Sequence, residues 1–162
     1  MIETTNGKFS WFDVSDDVKE LLILAAQTWE NTEESTKYMQ KALAKTGENT
    51  DVLVAAYRYF YYKNNYVLAL TTAEKIIAKI REVEKLPQHW EQLQPILVKN
   101  QEEPKIRLFI NAYAASGLVL ARLGNLEKAK EISIQIKSIE KKNDFGANTL
   151  FDILTRPPEA DE

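Results

Sequence analysis

A chain of 162 residues with 44% hydrophobic and 28% charged residues, five Gly and five Pro has the composition of an ordered, helix-leaning globule large enough to bury its own core. It has no cysteine, which excludes disulfides, thiol nucleophiles and thiolate metal sites, and its single histidine, His89, excludes a histidine-based metal cluster. A net charge of −3 argues against a general nucleic-acid binder, no apolar run nears the ~20 residues of a membrane span, and residues 1–13 lack a signal-peptide pattern, so a cytoplasmic protein without nucleic-acid or membrane partners is expected.

Taken in chain order, the apolar residues recur at helical spacing. Val18, Leu21, Leu22, Ala25, Ala26 and Trp29 predict a first helix, with Ser15 as its N-cap and Asp16 and Asp17 on the first turn, where the helix dipole favours negative charge. Ser35, Tyr38, Met39, Ala42 and Leu43 predict a second helix, ended at Thr46-Gly47, and the two read as an antiparallel hairpin. Leu53, Ala56, Tyr57 and Phe60 line a third helix. Asn64-Asn65 turns the chain into a long fourth one, lined by Tyr66, Ala69, Leu70, Ala73, Ile76, Ile77, Ile80 and Val83 and stopped ahead of Pro87. Trp90, Leu93 and Leu97 keep the spacing, but Pro95 removes a backbone donor among them, so residues 88–104 read as a short helix or two broken turns. Pro104, after Glu102-Glu103, marks the next start. Ile106, Phe109, Ile110, Tyr113, Gly117 and Leu120 line that helix. After Gly124-Asn125, its partner carries Leu126, Ala129, Ile132, Ile136 and Ile139. No segment alternates as a strand would, so the fold class is all-α.

The pattern repeats. Ser35, Ala69 and Ala129 align as the small position of successive second helices; the first interval is 34 residues, and the second, 60, equals one more period of 34 plus an insertion of 26. In the third unit Gly117 falls where paired helices touch, Gly124 at the turn, Leu126 just after it and Ala129 at the tight contact. With these residues the chain resembles the tetratricopeptide repeat (TPR) proteins. The resemblance implies a right-handed superhelix of about three antiparallel helical hairpins, an α-solenoid, with an insertion between the second and third. The repeats would span 16–49, 50–85 and 105–140, the insertion 86–104, and a C-terminal cap 143–155, in which Leu150, Phe151, Ile153 and Leu154 cover the last open face. Residues 1–155 thus read as a single helical domain, and 156–162 as a mobile acidic tail. The chain departs from the family pattern at Tyr57, which stands at a normally small position, and in the absence of a proline closing any repeat.

In TPR proteins the first helix of each hairpin faces a concave groove that receives a peptide. Carried onto this chain, that gives Arg58, Tyr61 and Tyr62 from the second unit and Asn111, Ala114, Leu118 and Arg122 from the third as candidate peptide-binding residues. Guanidinium groups grip carboxylates bidentately, and tyrosines give apolar contact with a polar tip. Tyr57, Tyr59, Phe60, Tyr61, Tyr62 and Tyr66 put six aromatics into ten residues, more than one core face of a helix can take. The Lys/Asn/Arg clamp of TPR domains that bind chaperone C-termini is absent: the matching positions hold Glu20, Leu24, Val54, Arg58, Asn111 and Ala115. Residues 105–142 carry eight Lys/Arg against three Asp/Glu, a basic stretch that either attracts an acidic partner or is neutralised by the chain's acidic ends. His89-Trp90 reads as an anchor for the insertion, Phe9, Trp11 and Phe12 as an N-terminal staple, and Lys128 to Lys142 as a solvated face with i,i+4 pairs. No Gly-rich phosphate loop, nucleophile elbow or Ser/His/Asp ordering is present, so no catalytic residue, cofactor or metal is assigned. The expected function is a noncatalytic protein-interaction module binding a protein or peptide with acidic groups. The alternatives are a small secretion or assembly chaperone of the TPR type and a homodimer closed through the aromatic middle hairpin.

Overall fold

Apolar residues spaced three and four apart line one side of a helix and scatter across both faces of a strand. In the computed structural model, which describes residues 14–46 and 49–139, all regular structure among the described residues is helical, in seven elements. Packing divides the chain into two units, Met1–Asn65 and Tyr66–Glu162.

The first unit holds α1 (Asp16–Gln27), α2 (Thr32–Thr46) and α3 (Thr50–Tyr62). Ser15 occupies the N-cap of α1 with extended backbone, yet its hydroxyl accepts no helix N–H; it donates to Asp17 Oδ1, which in turn accepts from the Val18 N–H at 2.9 Å. The capping expected of Ser15 is therefore taken over by Asp17, whose ionised carboxylate is the stronger acceptor. Val18, Leu22 and Ala25 of α1 and Ser35, Met39 and Ala42 of α2 are buried, and the two helices pack as an antiparallel pair. Asn49 caps α3 through its side chain, accepting from Val52 N–H at 3.1 Å. The Tyr59 hydroxyl joins α3 to α2 through Ser35 Oγ and, at 2.9 Å, Thr36 Oγ1.

The second unit holds α4 (Tyr66–Glu84), α5 (Trp90–Lys99), α6 (Pro104–Arg122) and α7 (Leu126–Lys137), with α6 packed against both α4 and α7. Glu103 and Pro104 open α6 as the sequence predicts, at N-cap and N1. Helix α5 is continuous through Pro95 rather than broken there. Pro95 lies on the exposed side, so the Glu91 carbonyl that loses its donor lies on the same solvent-facing stretch, while Leu93 and Leu97 are buried and supply the packing. Four apolar positions expected inside are outside: Ala26, Trp29, Val83 and Leu126 are exposed, Val83 at 46% and Leu126 at 51%. Val83 lies in the last turn of α4 and Leu126 opens α7.

Three helix ends share one hydrogen-bond pattern. Asn65 N–H donates to Phe60 O at 2.8 Å, Leu86 N–H to Arg81 O at 2.9 Å and Asn125 N–H to Leu120 O at 2.9 Å, each closing over a left-handed residue: Asn64 (φ 62°), Lys85 (φ 56°) and Gly124 (φ 92°). These are Schellman turns, and they satisfy carbonyls that the helix leaves unpaired. Ser35, Ala69 and Ala129, the three aligned small residues, are each 0% exposed, and each is the fourth residue of its helix, counting from Thr32, Tyr66 and Leu126. No described helix is long and apolar enough to cross a membrane. Gly47, the aromatic residues Phe9, Trp11 and Phe12, the cap 143–155 and the tail 156–162 lie outside the described residues.

Candidate peptide-binding surface

The five aromatic side chains of α3 from Tyr57 to Tyr62 are sorted by the 100° step of the helix, while Tyr66 opens α4. Tyr59 and Phe60 turn inward and are buried; Tyr59 meets Trp29 edge-on at 5.4 Å and Phe60 at the same distance. Tyr57 and Tyr61, one turn apart, are half-buried and stack with centroids 6.0 Å apart and planes 22° from parallel. Tyr62 stands edge-on to Tyr61 at 5.6 Å and is 68% exposed. Burial pushes the Tyr57 phenol well above its ordinary range, and the neighbouring Tyr61 and Tyr62 phenols add to the effect. Arg58, exposed, lies three and four residues before Tyr61 and Tyr62, so the three side chains share one side of α3.

The second trio follows α6. Asn111 is exposed, Leu118 half-buried and Arg122 exposed, at spacings of seven and four that keep them on one side of the helix, with Ala114 half-buried between them. The Arg122 guanidinium carbon lies 6.0 Å from the centre of the Tyr66 ring. Stacked there, a guanidinium keeps its in-plane N–H edge available for a carboxylate. The six predicted residues thus form two trios, one in each unit.

Of the pair His89-Trp90, it is Trp90 that packs the insertion onto α6. His89 is the exposed N-cap residue of α5 and makes no side-chain cap bond, whereas Trp90 stacks on Tyr113 of α6 at 6.1 Å and 13°. Tyr113 stacks on Phe109 at 6.2 Å, and the Arg81 guanidinium lies 5.4 Å from the Phe109 ring centre. Burial raises the Tyr113 phenol, Glu131 raises it further and Arg81 acts against them; its hydroxyl donates to Gln135 Oε1 at 2.5 Å. On α7, Lys128 pairs with Glu131, 3.9 Å apart and well exposed, while Glu140 to Lys142 lie outside the described residues. Among the described residues no three His, Cys, Asp or Glu side chains are grouped to hold a metal.

One surface was not read from the sequence. An open groove of about 460 Å³ runs between α1 and α2, with Leu21, Leu24 and Ala44 along its floor, Asp17 and Glu20 on one wall and Lys41 and Lys45 on the other. The signal was the run Leu21 to Ala26, six apolar residues in succession, which cover more of a helix than one partner can bury. Asp17 and Lys45 pair at 3.2 Å across the end of the groove; the Ser15 hydroxyl first and Lys45 second hold the Asp17 carboxyl below its usual range.

No protein-family model and no solved structure matches the chain. It is 30% identical over 132 residues to an uncharacterized 19.8 kDa protein in the nifW 5′ region of Azotobacter chroococcum mcd 1, a match spanning 80% of this chain and 73% of that protein. The chain belongs to that protein's family. The reading of the chain's surfaces rests on their chemistry.

Proposed function

We propose that the chain is a noncatalytic interaction module of the TPR type, in which the first helices of the second and third repeats, α3 and α6, each present a peptide-binding surface. Support for the repeat comes from Ser35, Ala69 and Ala129, all 0% exposed at the fourth position of α2, α4 and α7. Small residues at such points let helices approach within about 8 to 10 Å. The observation that carries the binding function is Tyr62, a large aromatic side chain left 68% exposed beside Tyr61 and one turn from Arg58. An aromatic patch next to a guanidinium is the composition of a binding hot spot. Tyr61, Tyr62 and Leu118 supply the apolar contact; Arg58 and Arg122 select acidic groups, and Asn111 offers hydrogen bonds to the bound backbone.

Affinity capture on the full chain, followed by mass spectrometry, identifies the partner. The relative lies in the nifW 5′ region, which makes the nifW product the first bait. The double variant Arg58→Ala/Arg122→Ala should bind the captured partner at least about tenfold more weakly, with an unchanged melting temperature, since each charge-assisted contact contributes about 1.5–3 kcal/mol. Unchanged affinity overturns the assignment of the arginines, and unchanged affinity in Tyr62→Ala as well overturns the surface.

A further inference from the structure

The groove between α1 and α2 has an apolar floor and walls of opposite charge, and it lies outside both trios described above. We infer that it is a self-association surface, on which a second copy of this chain docks its own α1 and α2 about a two-fold axis parallel to the helices.

The argument is one of charge and register. Asp17 on the first turn of α1 pairs with Lys45 on the last turn of α2, so the antiparallel helices are in register there. One turn further along each helix, Glu20 on the α1 wall stands level with Lys41 on the α2 wall. Neither makes an ion pair among the described residues, and both are exposed. A rotation about an axis parallel to the helices keeps heights and exchanges sides. It therefore sets α1 of one copy over α2 of the other, Glu20 opposite the second copy's Lys41 and Lys41 opposite the second copy's Glu20. Leu21, Leu24 and Ala44 of both copies close between these pairs. A surface that is acidic on one side, basic on the other and apolar between is complementary to itself under this operation, as an isologous interface requires. The charges fix the register and the leucines supply the burial. A two-helix face is small beside a standard interface, so the dimer is weak and reversible.

The test is sedimentation equilibrium of the full chain up to ~1 mM, where even weak dimers populate. Wild type should show a monomer–dimer equilibrium. Glu20→Lys makes both of the paired contacts ammonium against ammonium and Lys41→Glu makes both carboxylate against carboxylate, so each alone should weaken the dimer about tenfold or more. An equimolar mixture of the two variants should recover the wild-type affinity as a heterodimer, because every like-charged contact becomes an opposite one; the double variant should recover it as a homodimer. Both positions are exposed, and circular dichroism melts confirm that the variants fold. A wild type that stays monomeric throughout overturns the inference. So does a dimer indifferent to both substitutions, or single variants that weaken and do not complement each other in the mixture.

Discussion

Lys63 Nζ lies 4.0 Å from the centre of the Trp29 ring, on a residue 34 positions earlier in the chain. The same ammonium donates to the Trp29 carbonyl and, at 3.2 Å, to Thr32 Oγ1. Lys63 is the C-cap residue of α3, and these contacts tie that helix end to the link between α1 and α2. Lys63→Met keeps the aliphatic stem and removes the cation. It should lower stability by about 1–2 kcal/mol, a cation–π contact plus one hydrogen bond to a charged donor. Urea unfolding measures the shift in midpoint.

Tyr59 and Tyr62, three residues apart, should respond in opposite ways. Tyr59 is 6% exposed and its hydroxyl meets Ser35 and Thr36, so Tyr59→Ala should cost about 3–5 kcal/mol, as expected for a buried aromatic. Tyr62→Ala should stay within about 0.5 kcal/mol of wild type. Thermal melts of the two variants side by side make the comparison.

Much of this was legible in advance, and the failures have identifiable causes. Proline at N1 and glycine in a left-handed turn are residues whose backbone limits point to one conformation, and Pro104 and Gly124 were readable for that reason. Lys85 adopts the same turn as Gly124 with φ 56°, but nothing in a lysine announces it; the turn is imposed by the burial of Leu86, 8% exposed, just beyond. Pro95 left a short helix and two broken turns both open, because its usual effect depends on which side of the helix it faces. The overcrowding of aromatics around Tyr61 correctly implied that some must be exposed, whereas which one depends on a helix phase that only the packing of Tyr59 and Phe60 sets. The groove beside Leu24 went unread because a sequence shows which residues are apolar and leaves open which of them find a partner.

The two phenols of Tyr57 and Tyr113 keep their protons beyond the pH at which an ordinary phenol releases its own, burial being the first cause in both. The unfolded chain loses these protons near pH ~10 while the folded chain retains them. Their contribution to stability is therefore complete below pH ~10 and is lost as the pH rises through the folded values. Unfolding midpoints should hold steady up to that point and fall above it, more gently in Tyr57→Phe. Phenolate absorbance should show a late-titrating component in the folded protein that shrinks in Tyr57→Phe.

Trp90 stacks α5 onto Tyr113 of α6, beside the buried Leu93 and Leu97 of the same helix. Trp90→Ala should accelerate amide exchange across Trp90–Lys99 by about tenfold or more while leaving the centre of α6 protected, since an offset aromatic pair adds about 0.5–1.5 kcal/mol beyond its buried area. Hydrogen exchange resolved by peptide detects it.

The α1–α2 pair is fastened unevenly. At its closed end the four-residue link is held by the Trp29 carbonyl and ring against Lys63, and the backbone there bonds from Thr28 to Leu24 and from Ser35 to Asn31. At the open end, some 18 Å away along a helix of this length, Asp17 and Lys45 meet in water with more than half of each side chain exposed, a bond of little strength. The pair therefore behaves as tweezers with a stiff pivot and a loose clasp. A rotation of about 5° at the pivot, acting over that ~18 Å lever arm, parts the tips by about 1.5 Å. Acid that protonates Asp17, or salt that screens it from Lys45, slackens the clasp without disturbing the hinge.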